Sequence, residues 1–281
     1  MADVSHQTRN VNSGDRNTGE SDLKTDVPHP ARMYDYLLGG KHHFEADRNA
    51  AEGALVAFPN LQISAKENRA FLMRTTRFVA LAGVRQFLEI GAGLPTTPSL
   101  HEVAQQIAPD SRVLYVDDNP MLFVQARDLL VGTEQGRVSY FDADLRDPER
   151  ILSASVLRET LDLAQPVALS LVAVLHFLAD DDDPYGIVDR LVAALPSGSY
   201  VTISHPTGDF DPTTAVLGDD FRARGMPAQQ RNRAQIGRFL HGLELIYPGL
   251  VPVHTWRPDH TTPADVTDAA VSIYGAVARK P

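Results

Sequence analysis

The spacing of hydrophobic positions changes three times along this chain, and each change marks a different kind of structure. Residues 1–26 are rich in Asn, Ser, Thr, Asp and Gly, with almost no large apolar side chains. Such a segment cannot offset its ordering entropy by burial, so it is expected to be disordered. From Pro28 to about residue 83 apolar residues recur at helical spacing. A short helix is predicted over 31–38, stopped by Gly39-Gly40, then a second over 45–58 ending before Pro59. A third is predicted over 64–81, with Ala70, Phe71, Met73, Phe78 and Leu81 on its apolar face and several Arg and Glu residues left for solvent. No strand pattern precedes Gln86.

After that point short apolar runs alternate with helical patterns. Runs over 86–90, 113–116, 138–141, 167–175 and 199–204 have the length and composition of strands. The fourth is apolar on both faces and is expected to be central. The first is followed at once by Gly91 and Gly93, then by Thr97-Pro98-Ser99. Thr97 suits an N-cap and Pro98 the first helical position, and Leu100, Val103, Ala104 and Ile107 continue as an apolar helix face. Another helix is expected from Asn119-Pro120 to Gly132, and another over 185–195. This alternation predicts an α/β fold with a parallel sheet covered by helices on both faces. Beyond residue 210 the rhythm changes again. Residues 210–240 read as helical and carry Arg222, Arg224, Arg231, Arg233 and Arg238. Strand patterns over 243–251 and 271–278 are separated only by a loop, so they are expected to pair antiparallel at the sheet edge.

Composition narrows the function. A formal charge of -10 argues against general nucleic-acid binding, and the absence of cysteine excludes disulfides, thiolate metal sites and thiol nucleophiles. The longest apolar run, 167–179, contains Ser170 and His176 and is too short to span a bilayer, and no apolar signal segment opens the chain. A cytoplasmic protein is expected. His42-His43 could suggest a metal, but adjacent residues rarely converge on one ion, so no metal site is expected.

The candidate chemistry lies at the strand ends. A tight glycine turn between strand and helix lets a ligand approach the backbone, and a side chain at Gly91 would fill that turn. Asp117 and Asp118 end the second strand, where a carboxylate can accept hydrogen bonds from a ribose diol. Asp142-Ala143-Asp144 ends the third, where a carboxylate could receive an adenine amino group. A dinucleotide fingerprint wants a third glycine three residues after Gly93, and Thr96 stands there. No Lys or Arg sits in the turn, whereas Glu89, Asp117, Asp118, Asp142 and Asp144 surround it, which suits a cationic sulfonium better than a pyrophosphate. His176, His205 and His254 are candidate bases, the first two lying at strand ends on the ligand edge. The arginine run is either a seat for an acidic substrate or a solvated helix face.

The succession Glu89-Ile-Gly-Ala-Gly93, Val116-Asp-Asp-Asn-Pro120 and Phe141-Asp-Ala-Asp-Leu145 resembles class I S-adenosylmethionine-dependent methyltransferases. More narrowly, Arg32-Met-Tyr-Asp-Tyr-Leu-Leu-Gly-Gly-Lys41 with Gly91-Ala-Gly-Leu-Pro-Thr96 resembles an actinobacterial S-adenosyl methyltransferase family once catalogued as a domain of unknown function. The resemblance implies a Rossmann-like, seven-stranded, mostly parallel sheet with an antiparallel last strand. It implies a helical cap over 27–83 and a cofactor-binding domain over 84–281 that carries the 210–240 insertion. S-adenosylmethionine would lie along Glu89, Gly91, Ala92, Gly93, Asp117, Asp118, Asn119, Asp142, Ala143 and Asp144. Leu175 and His176, closing the fourth strand, would sit under the transferable methyl, with His176 or His205 as the catalytic candidates. Tyr34, Tyr36 and Phe44, with Arg32 and Lys41, would form a lid hinged at Gly39-Gly40 over the cofactor and a small-molecule acceptor; the other reading is a helix hairpin packed on the sheet, with Gly39-Gly40 as an ordinary helix stop. A non-catalytic sensor of S-adenosylmethionine or its product, and a nicotinamide-dependent oxidoreductase, are the rival readings.

Overall fold

The computed structural model describes residues 24–119, 121, 131–260 and 262–281. Most of the expected N-terminal tail, and the helix expected between Asn119 and Gly132 apart from Met121 and Val131, lie outside the described residues.

The strands are β1 Gln86–Ile90, β2 Arg112–Asp117, β3 Arg137–Asp142, β4 Ala168–Val172, β5 Tyr200–Pro206, β6 Glu244–Leu245, β7 Val251–Pro252 and β8 Ile273–Arg279. They form one sheet in the order β3-β2-β1-β4-β5-β8-β6, with β7 also paired to β8. Pairing from β3 through to β5 is parallel, and β8 runs antiparallel to β5, β6 and β7. The expected seventh-strand arrangement holds, but the edge strand expected over 243–251 is split in two. Pro248 has no N–H to give to a ladder, and the chain turns there, Gly249 N–H bonding Ile246 O at 2.8 Å.

Alternation along the strands sends side chains to two apolar layers. Leu88 and Ile90 of β1 face one layer with Leu114, Val116, Leu169 and Leu171. Phe87 faces the other, with Val113, Tyr115 and the helix residues Phe71, Leu72 and Val79. Glu89, two residues from Phe87, therefore points toward that second, helix-covered face.

The helices before the sheet are α1 Pro30–Leu37, α2 Glu45–Ala57 and α3 Leu61–Leu81. Those after it are α4 Leu100–Ile107, α5 Pro148–Ser153, α6 Ser155–Thr160, α7 Pro184–Ala193, α8 Thr214–Ala223, α9 Arg233–Arg238 and α10 Asp268–Val271. The α4 cap is Ser99, not Thr97: Ser99 N–H donates to Glu102 Oε2 at 2.6 Å while Ser99 Oγ accepts from Glu102 N–H. Thr97 has Leu100 three residues on and cannot form that reciprocal box, so it stays in the loop. The 210–240 segment holds two helices, α8 and α9, separated by an irregular stretch through Pro227. Strand β4 stops at Val172 rather than at 175. Ala173 takes a left-handed conformation (φ 53°), its N–H bonds Ser204 Oγ at 2.9 Å, and Leu175–Phe177 curls into a 3₁₀ turn.

The long helix α3 packs on the sheet through β8 and against α4 and α10. Its polar residues are not all solvent-facing. Glu67 and Arg74 are buried, and Arg74 donates through Nε to Trp256 O (3.1 Å) and through Nη2 to Val253 O (2.7 Å). Trp256, fully buried, stands edge-on to Phe71 and Phe78 at centroid distances of 5.7 Å each. A guanidinium tethers this loop because its backbone carbonyls have no water to turn to. Arg74→Met is expected to lower the free energy of unfolding by about 1–3 kcal/mol in urea titration, since the buried Trp256 O loses its donor while Val253 O keeps only the Trp256 N–H at 3.3 Å.

Candidate functional site

The glycine turn after β1 is held from both sides. Gly91 and Gly93 adopt positive φ (76° and 65°), a region that strains other residues. A Cβ on Gly91 would lie 2.5 Å from Val174 Cγ2, so this glycine lets the loop after β1 pass the loop after β4. A side chain there strikes Val174 rather than simply filling the turn. Gly93 N–H donates to Asp117 Oδ2 at 2.8 Å and Asn119 N–H to Asp117 Oδ1 at 2.9 Å, so one carboxylate clamps the turn to the end of β2. From the opposite side Arg69 of α3 donates to Thr96 O (3.1 Å) and Pro98 O (2.6 Å).

The parallel register sets Ile90 beside Val116 and Val116 beside Phe141, so the loops after β1, β2 and β3 open on one sheet edge. Over that edge lies a cavity of about 490 Å³, within the size range of small-molecule sites. Its charged lining residues are Arg69, Glu89, Asp117, Asp118, Asp144 and Arg146, all around the β1–β3 loops. The rest of the lining, from α1, the other lining residues of α3, α8, residues 172–178 and 225–230 and the ends of β5 and β8, carries no Asp, Glu, Lys or Arg among the described residues. Met33, Leu37, Phe58, Leu217, Phe221 and Met226 give this half its apolar character.

Of the residues singled out from sequence, Glu89, Gly91, Ala92, Gly93, Asp117, Asp118, Ala143, Asp144, His176 and Tyr34 line this cavity. The others stand elsewhere. Asn119 is buried and its Oδ1 accepts from Met121 N–H at 3.0 Å, while Asp142 stands outside the lining and its carbonyl accepts from Arg150 Nη2 at 2.9 Å. Leu175 packs into the core below the turn and its carbonyl accepts from Arg231 Nη1 at 3.2 Å. His254 pairs with Asp268 at 3.4 Å, outside the lining.

Among the lid residues only Tyr34 reaches the cavity. Arg32 is buried against Asp47 (2.8 Å) and lies over the Phe44 ring, so this pair joins α1 to α2. The Tyr36 hydroxyl donates to Glu52 Oε1 at 3.0 Å, and Lys41 is exposed. The Gly39-Gly40 segment is stapled: Asp35 accepts from His42 N–H (2.8 Å) and His43 Nδ1 (2.9 Å), and a Cβ on Gly40 would overlap the Asp35 carboxylate.

His176 and His205 sit close together, ring centroids 6.0 Å apart, but only His176 faces the cavity. Arg231, buried between the Tyr185 and Phe239 rings, was not separable by sequence from the exposed arginines around it. It donates to Leu175 O, to Leu178 O at 3.0 Å, to Asp180 Oδ1 at 2.8 Å and to His205 Nε2 at 3.1 Å. His205 Nδ1 lies 2.7 Å from Pro206 O and must carry the ring proton to bond it, which leaves Nε2 as the acceptor for Arg231. Burial, then Arg231, pushes His176 down to about 3, and burial with His176 beside it holds His205 well below the ordinary imidazole range. Both rings are neutral at any ordinary pH.

The carboxylates move the other way. Burial raises Asp117 to about 6, although the Gly93 and Asn119 N–H groups oppose it. Burial raises Glu89 to about 7, with Arg69 opposing and Asp117 assisting. Arg69 and its neighbour Asn68 were missed because α3 was read as amphipathic with a charged outer face. The signal was there: Asn68 falls three and four residues from Ala65, Phe71 and Leu72, all inward-facing.

A sheet of this order, with a glycine turn after β1 and a carboxylate clamping it from β2, defines a Rossmann-like S-adenosylmethionine-dependent methyltransferase. The family assignment is specific. The sequence model of the S-adenosyl methyltransferase family matches residues 16–281, and the chain belongs to that family, whose cofactor is S-adenosylmethionine. A DUF574 family protein from Streptomyces avermitilis is 45% identical, superposes with a TM-score of 0.90, and is matched over 92% of this chain and 100% of its own. A protein from Thermobifida fusca assigned to the methyltransferases is 39% identical, with a TM-score of 0.86 over 92% of this chain and 97% of its own. An O-methyltransferase family protein from Burkholderia thailandensis, 15% identical with a TM-score of 0.50 over 92% of this chain and 65% of its own, shares the fold. Comparison with curated proteins gave no match. Among the described residues no helix is long and apolar enough to cross a membrane, and no cluster of three or more His, Asp or Glu could hold a metal ion.

Glu89 provides a test of this electrostatic arrangement. Its carboxyl ionises less readily folded than unfolded, so its contribution to stability is full below its ordinary 4.5 and is lost as pH rises through about 7. Gln cannot ionise. Relative to the native chain, Glu89→Gln is therefore expected to gain about 3 kcal/mol of stability between pH 4 and pH 8, measured by denaturant titration of the ligand-free proteins.

Proposed function

We propose that this enzyme transfers the methyl group of S-adenosylmethionine to a small, uncharged, largely apolar acceptor. The observation that carries this reading is the division of one cavity into a charged half at the glycine turn, which Arg69 of α3 joins, and an uncharged half under α1 and α8. The residues at the turn fit the cofactor: four carboxyl groups face a cation, the glycine backbone is open, and buried polar atoms of Asn68 and His176 lack protein partners. In this reading Asp117 and Asp118 hold the ribose, Ala143 and Asp144 line the adenine, and residues 27–83 act as a cap over 84–281. When bound, the cofactor supplies a methyl group activated by its sulfonium.

The chain's own part is alignment. Displacement at a methyl carbon gains most from holding nucleophile and methyl in line, which a cavity walled by several elements can do. His176, neutral and presented on the turn that Arg231 braces, is placed to orient the acceptor's polar atom. A group whose pKa lies near 3 is a poor proton acceptor at neutral pH, so the acceptor has to arrive with a free lone pair. His205 supports the turn through Arg231 and stays out of the cavity. An aromatic amine, or a phenol that stays un-ionised, on an apolar body meets these conditions.

The experiment is calorimetric titration with S-adenosylhomocysteine, then its release from S-adenosylmethionine in the presence of aromatic amines and phenols and of matched carboxylates. Turnover is expected with the uncharged set and not with the carboxylates. Leu217→Glu, which puts a charge into the apolar wall, is expected to abolish that turnover while S-adenosylhomocysteine affinity stays within about two-fold. Turnover confined to charged acceptors, or cofactor binding without turnover on any acceptor, would overturn the proposal.

A further inference from the structure

The face of α8 that lines the cavity carries Thr214, Leu217, Gly218 and Phe221. These positions follow the i, i+3, i+4, i+7 spacing of one helix face. The charged residues stand off that stripe, Arg222 paired with Asp219 and Arg224, just after the helix, with Asp220. Gly218 does not suit its place. In the middle of a ten-residue helix glycine is less favourable than alanine, because it loses more backbone freedom on folding. A fold keeps such a residue where the backbone needs a positive φ or where another element comes too close for a side chain.

Neither reason applies to Gly218. Its backbone is helical, and a Cβ built on it would meet one atom, Arg222 Nη1 at 3.4 Å, the far end of a flexible side chain at an ordinary contact distance. Other helical glycines differ. A Cβ on Gly186 of α7 would overlap the Asp183 carboxylate, and one on Gly53 of α2 would lie 3.1 Å from Arg224 Nη2. Gly237 of α9 has room too, with Leu250 Cδ2 at 3.9 Å, but it stands outside the cavity lining. Gly218 is buried and lines the cavity, so the open place beside its Cα belongs to the ligand space. Thr214 stands one turn before it and Phe221 one turn after, and Phe221 packs against the apolar cluster of Met33, Leu37 and Met226. An interior gap of this kind forfeits contacts until something fills it. Walls without charge suit a flat apolar group and disfavour a charged one.

We infer that the place left open at Gly218 receives an apolar extension of the methyl acceptor, and that a fused two-ring aromatic amine or phenol is therefore a better acceptor than its one-ring counterpart. This rests on the uncharged acceptor proposed above and adds which residue of the wall sets the acceptor's breadth. Gly218 determines specificity by the side chain it lacks. Alanine would strengthen α8 and narrow the acceptor space in the same step.

The test compares aniline with 1-naphthylamine, which carry the same nucleophile on one ring and on two, by S-adenosylhomocysteine release from the full chain. The native protein is expected to show a kcat/KM for 1-naphthylamine at least roughly ten-fold above that for aniline, since one apolar group in a pocket is worth about that much. Gly218→Ala is expected to lower this preference roughly ten-fold and Gly218→Leu to reverse it. Calorimetry is expected to find S-adenosylhomocysteine affinity within about two-fold of native in both variants, since the carboxylates and the glycine turn are untouched. Thermal unfolding of ligand-free Gly218→Ala is expected about 1–3 °C above the native Tm, so this variant stays informative if Gly218→Leu fails to fold. Equal native kcat/KM for the two amines, a preference the variants leave unmoved, equal loss of both amines, or a lowered Tm in Gly218→Ala would overturn the inference and leave the acceptor class standing. A native chain that binds S-adenosylhomocysteine and turns over neither amine would overturn that acceptor class, and the role of Gly218 with it.

Discussion

A single carboxylate, that of Asp117, ties the two loops on which the cavity floor is built. Each of its oxygens accepts a backbone N–H, one from Gly93 in the turn after β1 and one from Asn119 after β2. The residue is only 8% exposed, so its ionised form carries a desolvation penalty, visible in a pKa raised to about 6. Those N–H groups are the compensation that makes a buried carboxylate tolerable there. In return the glycine turn, whose positive φ values no hydrogen-bond ladder would enforce, is held in one place. Arg69 fixes the far end of the same turn by its carbonyls, so the loop is secured by an anion on its N–H side and a cation on its C=O side.

From that arrangement follows the uneven distribution of charge in the cavity. Carboxyl groups gather where strand ends converge, because β1, β2 and β3 are in register and each ends in an acidic or glycine position. The other walls are supplied by helices turning their apolar faces inward, and those faces have no reason to carry charge. The Leu175–Phe177 turn also lines the cavity, braced by Arg231 through the Leu175 and Leu178 carbonyls and His205. Burial, with His176 beside His205 and the Arg231 charge assisting, keeps both imidazoles neutral, and the turn presents His176 to the cavity.

The three N-terminal helices are attached to the sheet by polar contacts as well as by packing. Arg74 carries α3 onto the loop that holds Trp256, and Ser64 Oγ donates to Val271 O at 2.5 Å at the other end of the chain. Asp47 gathers the N–H groups of His29 and Phe44 and the Arg32 guanidinium, and so welds α1 to α2. Where a glycine-hinged lid was expected, Asp35 fastens the Gly39-Gly40 turn, and Tyr34 is the lid residue that reaches the ligand space. Through these contacts α1 and α3 are joined to their neighbours, and both contribute to the cavity wall.

Much of this was legible in the amino-acid order, because it is local. Strand runs such as Phe87-Leu88-Glu89-Ile90, the glycines that follow, and the acids ending β2 and β3 are decided by residues a few positions apart, and they specified the α/β class and the ligand edge. Splitting of the edge strand by Pro248 and capping of α4 by Ser99 and Glu102 are also local, and follow from hydrogen bonds that a neighbouring choice made impossible. What only the tertiary structure decided is which of several similar side chains points inward. Asp117 clamps the turn while Asp142 stays outside the cavity, and Arg231 is buried while Arg222 and Arg224 pair with Asp219 and Asp220 on the surface. Asn68 and Arg69 reach a ligand space whose floor lies on another element. A long polar side chain on an amphipathic helix can face water or a distant carbonyl, and the sequence nearby is the same in both cases. The difference lies in partners brought together by the fold from far along the chain.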